Sequence, residues 1–256
     1  MNLERELRIA GVMVVLGIAG GLLEGVAKPL RRGTGHSKGT LVASPGAGTL
    51  WGWLGGFRAL AADLLWLKMH ARWEVRDRAA VEALIGFTSG VDPRPLYFWL
   101  NGARIVAYDF PAWRIEAEGG YRAVTAERQC AIDAEQAKRA IVRIAEARKA
   151  HPQSAELWVE QANIELNRLK DAGAAAESYR RAALQPGAPY YAARLHGELL
   201  RRLGRKAEAY AWLRACHPAL PREEEAAGWE LVLGRIRELE RELAIPRADV
   251  YQPRHE

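Results

Sequence analysis

From residue 50 to residue 243 the apolar positions recur three and four apart, the spacing of helices that bury one face. A first helix is predicted over residues 50–73, with Leu60, Leu64, Leu67 and Ala71 on its buried side. A second covers residues 78–89, turning Val81, Leu84, Ile85 and Thr88 inward, and Asp92-Pro93 closes it as an X-Pro step does. Pro95 opens a helix to residue 108, with Gly102 and Ala103 as small contact positions. Residues 109–133 keep no period and contain Gly119-Gly120, so they read as an insertion or a bent connection. Regularity returns over residues 134–150, with Ala140, Ile144 and Ala147 inward and His151-Pro152 at the end. Pairs follow at 155–168 with 174–184, and at 190–203 with 206–215. A long helix over residues 222–243 places Trp229, Val232, Ile236, Leu239 and Leu243 on one face and Glu223, Glu224, Arg235, Glu238 and Glu240 on the other. Residues 244–256 read as a polar tail. Alanine, leucine, arginine and glutamate dominate and β-branched residues are sparse, so the fold class expected is all-α.

Within residues 155–221 the pattern repeats at about 34 residues: Ala162 answers to Gly197, Ala175 to Ala209, and Pro186 to Pro221. Small residues at such positions let two antiparallel helices touch, and proline ends each pair. Trp158, Ala162, Ala175, Tyr179 and Ala182 make one set, and Gly197, Gly204, Ala209 and Pro221 recur in the next, with Ala193 in place of the aromatic. On these residues the chain resembles the tetratricopeptide-repeat superfamily, clearly over 155–221 and more loosely from Leu60. The stretch Leu54-Gly55-Gly56-Phe57-Arg58, followed by residues 62–67, is also similar to bacterial members that carry an N-terminal membrane anchor. The resemblance implies a solenoid of stacked antiparallel helix pairs and an envelope-associated scaffold without an activity of its own. The organisation expected is residues 1–27 as signal anchor or signal peptide, 28–49 as a flexible basic linker, 50–221 as repeats, and 222–256 as a capping helix and tail.

Residues 9–23 form an uncharged apolar run behind Arg5 and Arg8. They read as an uncleaved anchor, or as a signal peptide with Gly25 and Ala27 ahead of a cleavage point at Lys28, or third as an ordinary buried helix. Lys28, Arg31, Arg32 and Lys38 after the run would retain the body in the cytoplasm, whereas Arg5, Arg8 and the amino terminus would retain the N-terminus there. The expectation carried forward is a single-pass inner-membrane protein with a periplasmic body, and otherwise a cytoplasmic one. Trp51, Trp53 and Phe57 suit either a lipid interface or the core of the first repeat. Residues 31–48 hold a Lys38-Gly39-Thr40 sequence, which is not the order a phosphate loop needs.

Composition adds a constraint on partners. At 49% apolar and 27% charged, the chain has material for a core, and a net charge of +6 suits an acidic partner, a phospholipid surface or nucleic acid. An arginine-rich solvated surface gives the same total. Aromatic residues are not interleaved with basic ones in a strip, so nucleic acid is disfavoured. Cys130 and Cys216 stand alone, as a disulfide or as two free thiols. The six histidines make no i, i+4 pair, and no nucleophile elbow, zinc-protease or dinucleotide motif occurs, so no catalytic residue, metal or cofactor is expected.

What remains is a surface. In repeat arrays the first helix of each pair lines a concave groove. The candidate groove residues are Asn101, Arg104, Tyr108, Gln161, Asn163, Glu165, Arg194, Glu198 and Arg201, suited to a peptide backbone or its carboxylates. The function expected is a membrane-tethered protein-interaction scaffold; the alternative is a soluble helical-repeat adaptor that uses its basic surface.

Overall fold

The computed structural model describes residues 45–253, with side chains from Phe57 onward. All regular structure among them is helical. The predicted membrane segment lies outside the described residues, and within them no helix is long and apolar enough to cross a membrane. The chain divides after Phe98 into two compact units.

In the first unit, α1 (Pro45–Glu74) forms an antiparallel hairpin with α2 (Arg78–Val91). Helix α1 thus begins inside the stretch expected to be linker. Arg76 turns the chain at φ 57°, and Asp77 caps α2 by accepting from the Ala80 amide at 3.1 Å. The leucine stripe expected inside is outside: Leu60, Leu64 and Leu67 are about half exposed or more, as is Phe57, and Ala71 is exposed too. Ala62, Trp66 and Met69 are buried instead. Helix α1 has apolar residues on most of its circumference, so periodicity does not select a face. Contact does, with Trp66 packed against the rings of Tyr97 and Phe98. On α2, Val81, Ile85 and Thr88 are buried as expected. Thr88 and Ser89 donate their hydroxyls to carbonyls one turn back, which removes the cost of burying them.

The second unit starts within α3 (Leu96–Arg104). That helix does not stop at 108. It widens into a π-turn (Ile105–Asp109) and runs on as α4 (Phe110–Ala117). The Phe110 amide donates back to Ile105, five residues away, and Pro111 follows with no amide hydrogen to give. After a turn through Gly119 and Gly120, α5 (Ala126–Ala150) starts at Thr125, whose side chain accepts from the Arg128 amide. Most of the stretch expected to be irregular is therefore helical: the π-turn shifts the period by one residue and hides it.

The pairs predicted next are present with shifts of a residue or two at most: α6 (Ala155–Asn167) with α7 (Ala172–Ala183), and α8 (Tyr190–Arg202) with α9 (Lys206–Cys216). Ser154 and Asp171 cap α6 and α7. Ala162, Ala175, Ala182 and Ala192 are fully buried between helices, together with Val159 and Tyr179. At Gly197 a Cβ would lie 2.7 Å from the buried Leu213 side chain, so α8 and α9 meet at a distance only glycine allows.

The last predicted helix is broken. Glu225–Ala227 is a 3-10 turn, Gly228 stands at φ 62°, and α10 (Trp229–Glu242) begins after it. Glu223 and Glu224 consequently precede the helix rather than opening it. Trp229, Val232, Ile236 and Leu239 are buried as expected, but so is Glu240, placed on the outer face by the sequence pattern. Its carboxylate accepts from the Tyr251 amide at 2.7 Å, from Arg237 at 2.8 Å and from the Tyr210 hydroxyl at 3.3 Å. The tail is thus not a free polar end: Tyr251 is only 8% exposed and folds back onto the core of α9 and α10. Cys130 and Cys216 are free thiols.

Candidate functional site

The nine candidate groove residues fall into three groups rather than one lining. Arg104, Tyr108 and Asn163 form the first. Arg104 donates to Glu160 at 2.7 and 2.8 Å, and that carboxylate is nearly inaccessible at 4%. The guanidinium of Arg168 lies 4.6 Å from the Tyr108 ring centroid and pairs with Asp133 at 3.2 Å. Asn163 accepts from the Tyr179 hydroxyl at 2.6 Å. Burial pushes the Tyr179 hydroxyl up to about 12, so it stays a neutral donor. Asn101 is half-buried on α3.

Gln161 and Glu165 belong to another side of α6, about 100° around the axis from Glu160. Gln161 accepts from Arg148 at 2.8 Å and donates to Glu165 at 2.7 Å. Glu165 is 6% exposed, and its Oε2 has no partner. It is therefore a buried polar residue, not an open groove contact as the sequence pattern implied. The inward turn is set by α5, which packs along this side of α6.

The third group sits on α8. Glu198 accepts from Arg201 at 2.8 Å and Arg202 at 3.2 Å, with Arg235 at 3.5 Å. The Arg201 hydrogen bond leads the causes that hold the Glu198 carboxyl below its ordinary value. Arg194 is half-buried, and its Nη1 occupies the place a Cβ on Gly228 would take. The left-handed backbone at Gly228 favours glycine there, whereas the Arg194 tip is the mobile end of a long side chain.

Compared with known protein families and with curated proteins, the chain has no match. Any functional reading therefore rests on the side chains themselves.

At least twelve of the 25 described arginines meet a carboxylate. Besides the pairs above, Arg94 holds Asp92, Arg114 and Arg128 share Glu118, Arg205 meets Glu208, and Arg235 meets Glu238. Glu177 accepts from Arg180 and Arg181, which together hold its carboxyl at about 2. Much of the positive charge is thus met within the molecule.

Arg148 is different, and the sequence reading missed it. Its guanidinium lies 3.9 Å from the Trp158 ring centroid and hydrogen-bonds a neutral amide, that of Gln161. Burial, then the like charge of Arg181, push it below the ordinary guanidinium value. Arg181 lies 5.0 Å from the same ring. A signal was available: Arg148, Arg181 and Arg214 are spaced 33 residues apart, and each stands in the last turn of the second helix of a pair or its equivalent.

Among the described residues no group of three or more His, Cys, Asp and Glu is placed to hold a metal ion. Surface hollows among the described residues include one of about 880 Å³ between α9 and the tail and one of about 490 Å³ beside Trp229. Neither brings a nucleophile to a base.

Proposed function

We propose that this chain is a non-enzymatic protein-interaction scaffold of tetratricopeptide-like helix pairs, tethered to the bacterial inner membrane by residues 9–23. The observation that carries the reading is the equivalence of α6/α7 and α8/α9. Both are antiparallel pairs closed by small residues at matching offsets, Ala162 and Ala175 in one, Gly197 and Ala209 in the other. Stacked pairs of this kind make long surfaces that bind extended partners and build no enclosed reaction site. The apolar run ahead of a basic linker supports the tether. A nucleic-acid adaptor is less well supported, because about half of the described arginines, which would have to meet phosphates, are paired with carboxylates already.

The test is fractionation of the native host carrying a C-terminal tag, with protease protection and in-cell cross-linking. The expected result is a membrane-bound chain whose tag is cleaved only after the outer barrier is breached, cross-linked to a small set of discrete proteins. A soluble chain that cross-links to nothing discrete would remove both halves of the proposal.

A further inference from the structure

A partner that docks on this surface meets arginines whose charge is only partly matched by carboxylates, and they select its chemistry. Arg148 near the end of α5 and Arg181 near the end of α7 both rest on one indole, that of Trp158. Stacking fixes each planar guanidinium and so lowers the conformational cost of gripping a ligand. Arg148 spends one donor on a neutral amide, and Glu177, the carboxylate that holds Arg181 through Nε, is shared with Arg180. Glu165, hydrogen-bonded to Gln161, lends Arg148 negative charge across space without bonding it. Two carboxylates, Glu165 and Glu177, thus face the three guanidiniums of Arg148, Arg180 and Arg181, and the surplus positive charge attracts an acidic group. Arg214 repeats the same position on α9, 6.0 Å from the Tyr210 ring centroid. In a stack of helix pairs, equivalent positions on successive second helices fall in a row.

We propose that Arg148, Arg181 and Arg214 form a docking row for an extended acidic segment of a protein partner, with the first carboxylate held by the two arginines on Trp158. This rests on the scaffold reading. Charge complementarity selects the occupant. Separate cations resting on aromatic rings suit spaced aspartate or glutamate side chains, whereas a polyphosphate backbone needs a continuous basic field, which the internal ion pairs remove.

The test uses the full-length chain in neutral detergent and a fluorescein-labelled hexaglutamate peptide, read by anisotropy. The unmodified chain binds it, and hexaglutamine binds at least tenfold more weakly. The R148Q/R181Q variant loses tenfold or more in affinity, and R214Q loses a further two- to threefold. R128Q, which removes an arginine paired with Glu118, leaves affinity unchanged. Equal binding of hexaglutamine, or of hexaglutamate by R148Q/R181Q, overturns the proposal. So does displacement by a dT12 oligonucleotide at concentrations below those of unlabelled hexaglutamate, which would make the row a nucleic-acid contact. If R148Q/R181Q fails to fold, the hexaglutamine comparison and R214Q still decide. Partners cross-linked in the host that remain cross-linked to R148Q/R181Q would sink the carboxylate chemistry and leave the scaffold standing.

Discussion

His217 shows what a single buried side chain commits the molecule to. It is fully buried, stacked against Trp229 and Tyr251, with Nε2 placed to donate to the Trp229 carbonyl at 3.3 Å and Nδ1 to accept from the Tyr251 hydroxyl at 3.0 Å. This is the neutral ring, and burial holds its titration below the ordinary histidine value; the same cause acts at His196, whose Nδ1 meets the Ala176 carbonyl. Unfolding releases both rings to titrate near ~6.5. As pH falls through that value the unfolded chain takes up protons that the folded chain refuses, so stability falls on acidification and levels off above roughly pH 7. Urea midpoints between pH 7.5 and 5.5 should therefore decline, and H217Q should decline less steeply from a lower start. An identical slope in both would assign the acid sensitivity elsewhere.

At the scale of elements, the contact between α8 and α9 is decided by one absent atom. Gly197→Ala puts a methyl 2.7 Å from Leu213, which is itself 2% exposed and enclosed by the α9–α10 core. The expected cost is about 1–3 kcal/mol, seen as a lower thermal midpoint, while the same change at exposed Gly86, with open space around it, should not destabilise. Elements of this kind were legible in the sequence because period and punctuation agree: Ser154 and Asp171 cap where the apolar spacing starts, and Gly204 stops α8. Where the two disagree, the reading failed. Helix α1 carries more leucine on its exposed side than on its buried side, so counting apolar residues selected the wrong face. Gly228 interrupts an otherwise helical pattern and does end it. The site was less legible than the fold. Arg148 meets Trp158 only because α5 packs on α6, and no spacing within either helix announces that contact.

For the molecule as a whole, the tail is part of the structure. Tyr251 brings a backbone donor to Glu240 and a hydroxyl to His217, two groups otherwise sealed from water. Removing residues 248–256 takes one hydrogen bond from each and uncovers the α9–α10 core, at an expected cost of about 2–4 kcal/mol. Tyr251→Phe keeps the backbone bond and the ring and should cost about 1 kcal/mol. Chemical denaturation of the two variants separates these values; equal losses would mean that the hydroxyl alone matters.

The widened turn at Ile105–Asp109 sets the phase of α4, which continues from it. One surplus residue in a helix turns each later side chain by about 100° about the axis. Phe110 and Ile115, both sealed in the interior, owe their inward bearing to that rotation. Excising a single residue from the turn would leave a more regular helix and swing both rows toward water. The irregularity is the register key of α4.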